Sequence, residues 1–267
     1  DPGLYRDVLA FDFRSLYPSI IRTFQIDPLG LAQPGEDPVP GEEGATFARE
    51  NAILPQLISS LHDARSVAME AKNAALSRAI KILMNSFYGV LGTPGCRFFD
   101  ARLPTSITRR GHAIIERARQ FFTTTNTSVI YGDTDSLFVA GLNPNDGAAF
   151  AKELTTVLGA EIRSEYRLES FLELRFDSHF RRFLMPTTRN SERGSKKRYA
   201  GLVGEKLVVR GLEAVRRDWT PLARCVQLEL LRRVFHDEPY EAWLLELRRE
   251  LAAGRLENQE TKNALTG

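Results

Sequence analysis

The chain has 267 residues, 43% of them hydrophobic and 26% charged, so it can bury a sizeable core. No stretch approaches ~18 consecutive apolar residues, so no transmembrane helix is predicted. Its 36 basic and 34 acidic residues leave a net charge of +2, which excludes a strongly basic chain and requires any contact with a polyanion to come from local clusters. Two cysteines, Cys96 and Cys225, are too few for a disulfide framework or a zinc site and fit a reducing cytoplasm.

The first predicted element is a buried strand that ends in an acidic residue. The apolar run at residues 8–11 is strand-like, and Asp12 follows it directly. A carboxylate at the end of a buried strand needs a counter-charge, because an unpaired buried charge is costly. Asp12 is therefore a candidate metal ligand. The alternative is that Asp12 caps a helix beginning near Ser15.

Two helices are predicted next, at residues 50–72 and 76–91, after a connection at residues 28–44 that is rich in proline, glycine and glutamate. The short polar link between the helices predicts a helical hairpin. One stripe of the second helix is apolar and is expected to pack against the rest of the chain. Its members are Ile80, Leu83, Met84, Phe87 and Leu91.

A second stripe of the same helix is polar. Lys81 can pair with a phosphate, Asn85 can hydrogen bond to another oxygen or a sugar, and Tyr88 offers a flat face to a base. Gly89 costs about 1 kcal/mol in a helix interior relative to alanine, which predicts close approach by a ligand or nucleic acid. Taken singly, each of these residues also has an explanation without a ligand. Lys81 could be a solvated lysine, Asn85 a surface amide and Tyr88 a tyrosine packed in the core.

A helix at residues 105–123 precedes a predicted hairpin, with strands at residues 128–131 and 137–140. Its turn places Asp133 and Asp135 around one threonine, and paired carboxylates are oxygen ligands of the kind that Mg²⁺ prefers. The alternative is a turn that caps its own backbone amides. A two-metal site would need a further carboxylate from elsewhere, and Asp12 is the candidate.

The remaining elements are a helix at residues 147–165, strands near residues 171–176, 181–185, 198–203 and 206–210, and helical pattern from residue 218 onward. Strands mixed with helices and joined through a hairpin predict an α+β fold with an antiparallel sheet.

Four segments in this order resemble the motifs of family B DNA polymerases. They are DxxSLYPSI at residues 12–20, KxxxNSxYG at residues 81–89, YGDTDS at residues 131–136 and KKRY at residues 196–199. The resemblance runs from about Gly3 to about Gly254 and is closest to the bacterial DNA polymerase II group of that family.

This resemblance implies a polymerase fold and its activity. The palm would comprise residues 1–30 and 93–212, with a two-helix fingers subdomain inserted at residues 31–92 and an incomplete helical thumb beginning at residues 213–267. The implied reaction adds deoxynucleoside triphosphates to a primer 3′ end with two Mg²⁺ ions. Its partner would be primer–template DNA, in a bacterial, nucleoid-associated, cytoplasmic setting without a membrane.

The resemblance also assigns roles to individual residues. The implied metal ligands are Asp12, Asp135, the backbone carbonyl of Phe13 and, less centrally, Asp133. The implied nucleotide-binding residues are Ser15, Leu16 and Tyr17 through their amides, with Arg65, Lys81, Asn85 and Tyr88. The implied DNA contacts are Gly89, Lys196, Lys197, Arg198 and Tyr199.

Two of these assignments carry further expectations. Tyr17 resembles the steric gate that excludes a ribose 2′-hydroxyl. Met69 stands where the family commonly has a lysine, four residues after Arg65. Whether Lys72, close to one turn further on, takes the place of that lysine is left open by the sequence.

Other functions remain open from the sequence. Family members carry an N-terminal domain and an exonuclease before the first motif, whereas only 11 residues precede Asp12, and the thumb is short. The chain is therefore expected to be a poor or inactive polymerase alone, and the main alternative is a truncated nucleic-acid-binding fragment. A different Mg²⁺-dependent nucleotidyltransferase or a reverse transcriptase is the third reading, although those enzymes typically place two aspartates side by side in the hairpin.

Overall fold

The computed structural model describes residues 2–124, 127–187, 194–195 and 197–254. Its strands and helices alternate along the chain, as expected for a mixed fold. The strands are β1 (Gly3–Phe13), β2 (Val39–Pro40), β3 (Thr46–Phe47), β4 (Ser128–Gly132), β5 (Ser136–Ala140), β6 (Leu174–Met185), β7 (Tyr199–Val203) and β8 (Lys206–Arg210). The helices are α1 (Leu16–Thr23), α2 (Pro28–Ala32), α3 (Ile53–Glu70), α4 (Ala74–Leu91), α5 (Arg102–Thr124), α6 (Gly147–Tyr166), α7 (Pro221–Phe235) and α8 (Glu241–Ala252).

Six of these strands form a sheet in the order β4-β5-β1-β6-β7-β8, and β2 pairs with β3 separately. The pairs β6/β7 and β7/β8 are antiparallel, with Phe183 opposite Gly201 and Tyr199 opposite Arg210. The predicted α+β class with an antiparallel sheet is confirmed.

Strand β6 differs from the sequence prediction. Two strands were expected, at residues 171–176 and 181–185, but one strand of 12 residues spans the second half of the first and all of the second. The polar residues Asp177, Ser178 and His179 interrupt the apolar pattern without ending the strand. His179 satisfies its ring nitrogen across the sheet by a 2.9 Å hydrogen bond to Asp7, so the polar stretch keeps its place in the sheet.

The start of α3 depends on a residue far away in the sequence. The carboxylate of Asp27 accepts hydrogen bonds from the amides of Gly30, at 2.9 Å, and Leu54, at 2.7 Å. One buried side chain therefore caps both α2 and α3. Helix α3 begins at Ile53 instead of residue 50, and α2 lies in a segment predicted to be irregular.

The helical hairpin α3/α4 is present as predicted, with a different start for its second helix. Asn73 accepts a hydrogen bond from the amide of Leu76 at 3.0 Å, and α4 begins at Ala74. Ile80, Met84 and Leu91 are buried, whereas Leu83 is 48% exposed, so the apolar stripe is narrower than predicted.

The chain divides into two compact units. The first unit comprises residues 11–137 and 145–177, and the second comprises residues 1–10, 138–144 and 178–267. In the first unit, α1 packs against α3, α4 and α5. In the second unit, α7 packs on β7 over a buried core. That core contains Ala200, Leu202, Val209, Leu212, Ala214, Leu231 and Phe235.

None of the described helices is long and apolar enough to span a membrane.

Candidate active site

Asp12 and Asp135 are brought together by backbone pairing within the first unit. The amide of Phe13, at the end of β1, donates a 2.8 Å hydrogen bond to the carbonyl oxygen of Asp135, just before β5. Because the bond joins backbone groups, it fixes the two segments against each other whatever their side chains do. The two aspartates that the sequence analysis ranked first as metal ligands thus lie at neighbouring strand ends.

The carboxylate of Asp12 is in an electrostatically unfavourable place. Burial, with the negative charges of Asp135 and Asp177 acting in the same direction and Lys81 in the opposite one, raises the pKa of Asp12 from its ordinary value of 3.8 to about 6. Carboxylates that disfavour each other's ionisation are typical of sites that take up a cation.

Asp177 was missed as a member of this group. No role was predicted for Asp177 from the sequence, yet its charge acts on Asp12. A signal was present: Asp177 follows Phe176 in a strand, as Asp12 follows Phe11.

Asp133 occupies the turn of the hairpin differently from Asp135. Its amide donates a 2.9 Å hydrogen bond to the carbonyl of Ser136, and its carboxylate accepts a 3.4 Å bond from the Thr134 hydroxyl. Neither of these two bonds joins the carboxylate of Asp133 to a backbone amide, as the self-capping alternative would require. Asp133 is absent from the charges that raise the pKa of Asp12, whereas Asp135 is among them.

The donor set fits Mg²⁺ with help from a substrate. Asp12 and Asp135 supply hard carboxylate oxygens, and the raised pKa of Asp12 would be relieved by a cation. Within the described residues, no three histidine, cysteine, aspartate or glutamate side chains converge as a ready-made metal cage. This is compatible with Mg²⁺, which commonly takes one or two protein carboxylates and fills its octahedron with water and phosphate oxygens.

Asp12→Asn is expected to stabilise the metal-free chain at neutral pH. Because the pKa of Asp12 in the folded chain lies above its ordinary value, this carboxyl contributes to stability in full below about pH 4. The contribution is lost as the pH rises through about 6, where the carboxyl ionises in the folded chain. The full shift would correspond to about 3 kcal/mol, and solvent screening of this half-buried carboxyl reduces the expected gain in the free energy of unfolding to about 1 kcal/mol.

Urea unfolding in a chelating buffer at pH 4 and pH 7.5 measures this effect. The free energy of unfolding of the variant should exceed that of the wild type at pH 7.5 and equal it at pH 4. A gain of equal size at both pH values would contradict the electrostatic cause. Asp146→Asn, at an exposed position without a capping bond, is the matched control.

Helix α1 begins four residues after Asp12, without a side-chain cap. Ser15 is its N-cap in the left-handed region, with φ 48°, and its side chain makes no capping hydrogen bond. Asp12 therefore does not cap this helix, contrary to the alternative considered from the sequence. Amides in the first turn of a helix lack intrahelical acceptors and favour anions.

Tyr17 and Tyr88 stack on each other. Their ring centroids lie 4.6 Å apart at an angle of 47°, which joins α1 to α4. A Cβ added to Gly111 of α5 would lie 3.4 Å from the Tyr17 ring, so this ring rests on a glycine. Burial raises the pKa of Tyr17, and the neighbouring Tyr88 and Asp135 act in the same direction. These two predicted nucleotide-binding residues are thus brought together near the acidic group.

The other predicted nucleotide-binding residues lie on the helical hairpin. Arg65 of α3 and Lys81 of α4 line one groove, and Lys81 acts electrostatically on Asp12. Asn85 is exposed one turn further along α4. A Cβ on Gly89 would meet nothing within 4 Å, so no close contact with a described residue requires this glycine.

The predicted DNA-contacting segment lies in the second unit, and Lys196 falls outside the described residues. Lys197 is exposed and has φ 59°. The segment is held by close backbone packing, because a Cβ on Gly211 would approach the carbonyl oxygen of Lys197 to 2.3 Å. Arg198 pairs with Glu213. The ring of Tyr199 lies 5.1 Å from Phe138 and 5.3 Å from Phe183.

Comparisons with known proteins agree with the motifs. The family model described as DNA polymerase family B matches residues 1–265. DNA polymerase II of Escherichia coli (strain K12) is 48% identical over an alignment of 273 positions, gaps included. The alignment covers 96% of this chain and 35% of the relative. A DNA polymerase of Thermococcus gorgonarius is 32% identical over 259 residues, covering 90% of this chain and 32% of the relative.

A solved structure is also similar. The family B DNA polymerase of the archaeon Pyrobaculum calidifontis superposes with a TM-score of 0.68 at 27% identity, covering 96% of this chain and 34% of that one. The chain spans about a third of the length of these relatives. The family model and the similarity to DNA polymerase II confirm the family inferred from the motifs, and the chain belongs to DNA polymerase family B.

Proposed function

We propose that this chain is the catalytic core of a DNA-directed DNA polymerase, which adds deoxynucleotides to a primer 3′ end. The proposal is carried by one observation: the backbone pairing of Phe13 with Asp135 sets Asp12 and Asp135 at neighbouring strand ends, where they disfavour each other's ionisation. Such a pair is suited to holding divalent cations for phosphoryl transfer. Membership of DNA polymerase family B supports the same reaction.

Asp12 and Asp135 would hold two Mg²⁺ ions, with the carbonyl of Phe13 as a further ligand and Asp133 in a lesser role. When bound, such ions activate the primer hydroxyl and neutralise charge on the departing pyrophosphate. The protein itself contributes mainly positioning and electrostatics, since phosphoryl transfer needs little covalent chemistry from it.

The incoming nucleotide would be held from two sides. The amides of Ser15, Leu16 and Tyr17 would receive phosphate oxygens at the start of α1. Lys81 and Arg65 would pair with the triphosphate from the groove side, and Asn85 would hydrogen bond nearby. The Tyr17/Tyr88 stack would face the sugar and base, with Gly89 leaving room for the template strand.

In this proposal the subdomains follow the division given by the motifs. Residues 1–30 and 93–212 form the palm, residues 31–92 the fingers and residues 213–267 the start of the thumb. The identity to a bacterial DNA polymerase II supports a bacterial, nucleoid-associated location and primer–template DNA as the partner.

Single-turnover extension tests the proposal. A labelled primer–template is mixed with excess chain, Mg²⁺ and one complementary deoxynucleotide, so that weak grip on DNA does not hide the chemistry. Addition of one nucleotide, dependent on Mg²⁺ and on the template base, is expected. DNA binding without any incorporation would overturn the proposal and support the alternative, a nucleic-acid-binding fragment without catalysis.

The binding of DNA is expected to weaken steeply with salt, and Lys197 should contribute to that dependence. Each neutralised phosphate adds a slope of about 0.9 in the logarithm of the binding constant against the logarithm of salt concentration. Lys197 is exposed and Arg198 is partly buried beside Glu213, so Lys197→Ala should reduce the slope by about 1 and Arg198→Ala by less.

Fluorescence anisotropy across a range of salt concentrations measures these slopes. Lys206→Ala, at another exposed lysine of the second unit, is the control. A slope unchanged by Lys197→Ala would remove this residue from the DNA contact.

A further inference from the structure

A groove between α3 and α4 has a cationic lining. Among the described residues its walls contain Arg65, Lys72, Arg78 and Lys81 and no aspartate or glutamate. A cationic groove without acidic side chains raises the local concentration of anions.

Arg65 gives independent evidence that the groove expects a ligand. Its Nε atom is buried and makes no hydrogen bond to any described residue. Burial, together with the charges of Arg14 and Arg175, lowers the pKa of Arg65, and no acid among the described residues offsets this. A buried donor without a partner is costly, and an anion in the groove would satisfy it.

The groove has two ends. Lys81 marks the end near the acidic group, since its charge acts on Asp12. Lys72 and Arg78 mark the other end, beside the short link between the helices. Met69 lies between Arg65 and Lys72 in the sequence and cannot pair with an anion. Neither Lys72 nor Arg78 forms an ion pair with a described residue.

Lys72 occupies a backbone position that favours glycine. Helix α3 ends with hydrogen bonds from the amide of Lys72 to the carbonyl of Met69, at 3.0 Å, and from that of Asn73 to Ala68, at 2.8 Å. This is a Schellman motif, whose left-handed residue is usually glycine, and Lys72 adopts it with φ 53°. A lysine at this position costs conformational energy relative to glycine. Its presence would be explained if its charge binds a ligand.

We propose that Lys72 and Arg78 form the outer end of this anion site and hold the terminal phosphate of a bound nucleoside triphosphate. The assignment rests on the proposed polymerase function. The α-phosphate lies towards Asp12 and Lys81, where the chemistry takes place, and the chain of phosphates extends along the groove past Arg65. Lys72 and Arg78 thereby supply the cations that Met69 does not.

Two variants separate ligand binding from stability. Lys72→Gly should raise the melting temperature by about 2–4 °C, because the strained residue is replaced by the one this turn favours. The same variant should weaken binding of dATP with Mg²⁺ by about 5-fold, and Arg78→Gln should weaken it by about 10-fold, as expected for loss of a charge-assisted contact. A residue with only a structural role would not improve stability while weakening binding.

Calorimetric titration of the intact chain with dATP, dADP and dAMP tests the proposal. Both variants should lose affinity for dATP, lose less for dADP and leave dAMP unchanged. Arg163→Gln, at an exposed arginine on α6, is the matched control. Equal losses for all three nucleotides, no loss for any, or absence of dATP binding by the wild type would each overturn the assignment.

The outcome is distinguishable from that of the polymerase proposal. Primer extension with unchanged nucleotide dependence in both variants would overturn the terminal-phosphate assignment and leave the polymerase function standing. Graded loss of nucleotide binding in a chain that never extends a primer would support the terminal-phosphate assignment and overturn the polymerase function.

Discussion

Asp135→Asn is expected to slow single-nucleotide incorporation by about 10³-fold, equivalent to about 4 kcal/mol of transition-state stabilisation. Asparagine keeps the shape of the side chain but removes the negative charge that would hold a cation beside Asp12. The hydrogen bond to Phe13 uses the backbone carbonyl of Asp135, so the pairing of the two strand ends should survive the substitution. The loss should therefore be one of chemistry and not of folding.

Single-turnover rates at saturating DNA and nucleotide measure this effect, with circular dichroism and melting temperature as checks on the fold. Asp12→Asn should lose as much, and Asp133→Asn less, in the order that their electrostatic coupling suggests. Asp146→Asn, at an exposed position at the start of α6, should retain the wild-type rate. An Asp135→Asn chain that incorporates nucleotides at the wild-type rate would remove this carboxylate from the catalytic site.

Tyr17→Ala is expected to admit ribonucleotides, with discrimination against them reduced by about 10- to 200-fold, the range that steric exclusion by one side chain supports. The Tyr17 ring is held between the Tyr88 ring, 4.6 Å away, and Gly111, so it has little freedom to move aside for a 2′-hydroxyl. Removal of the ring opens the space that the hydroxyl needs. The ratio of kcat/KM for a deoxynucleotide to that for the matching ribonucleotide measures the change.

Tyr17→Phe is the matched control, since it keeps the ring and removes only the phenolic hydroxyl. It should retain discrimination close to that of the wild type. If Tyr17→Phe and Tyr17→Ala lost discrimination equally, the hydroxyl and not the ring would be responsible, and the steric assignment would be wrong.

Features set by short-range pattern could be predicted from the sequence. The hairpin around Asp133 and Asp135 and the helical hairpin α3/α4 depend on neighbouring residues, and the structure contains both. The mixed fold with an antiparallel sheet and membership of the polymerase family were also predicted correctly. The roles of the individual site residues remain predictions.

Features set by distant partners could not be predicted in the same way. The start of α3 depends on Asp27, a capping residue 27 positions before Leu54. The continuity of β6 depends on a partner for His179 in another strand. The charge of Asp177 acts on Asp12 only once the sheet has formed, so its position after Phe176 in a strand could mark Asp177 as a candidate but could not show that it lies beside Asp12.

The pairing of Phe13 with Asp135 also limits where a residue can be inserted or deleted without loss of activity. Side chains alternate between the two faces of a strand, so a slip of β1 by one residue against the hairpin would carry the carboxylate of Asp12 to the opposite face of the sheet. A single codon gained or lost inside β1 should therefore abolish incorporation as thoroughly as Asp12→Asn does. The same change in the turn at residues 33–36, where Gly35 faces open space, should leave the reaction intact.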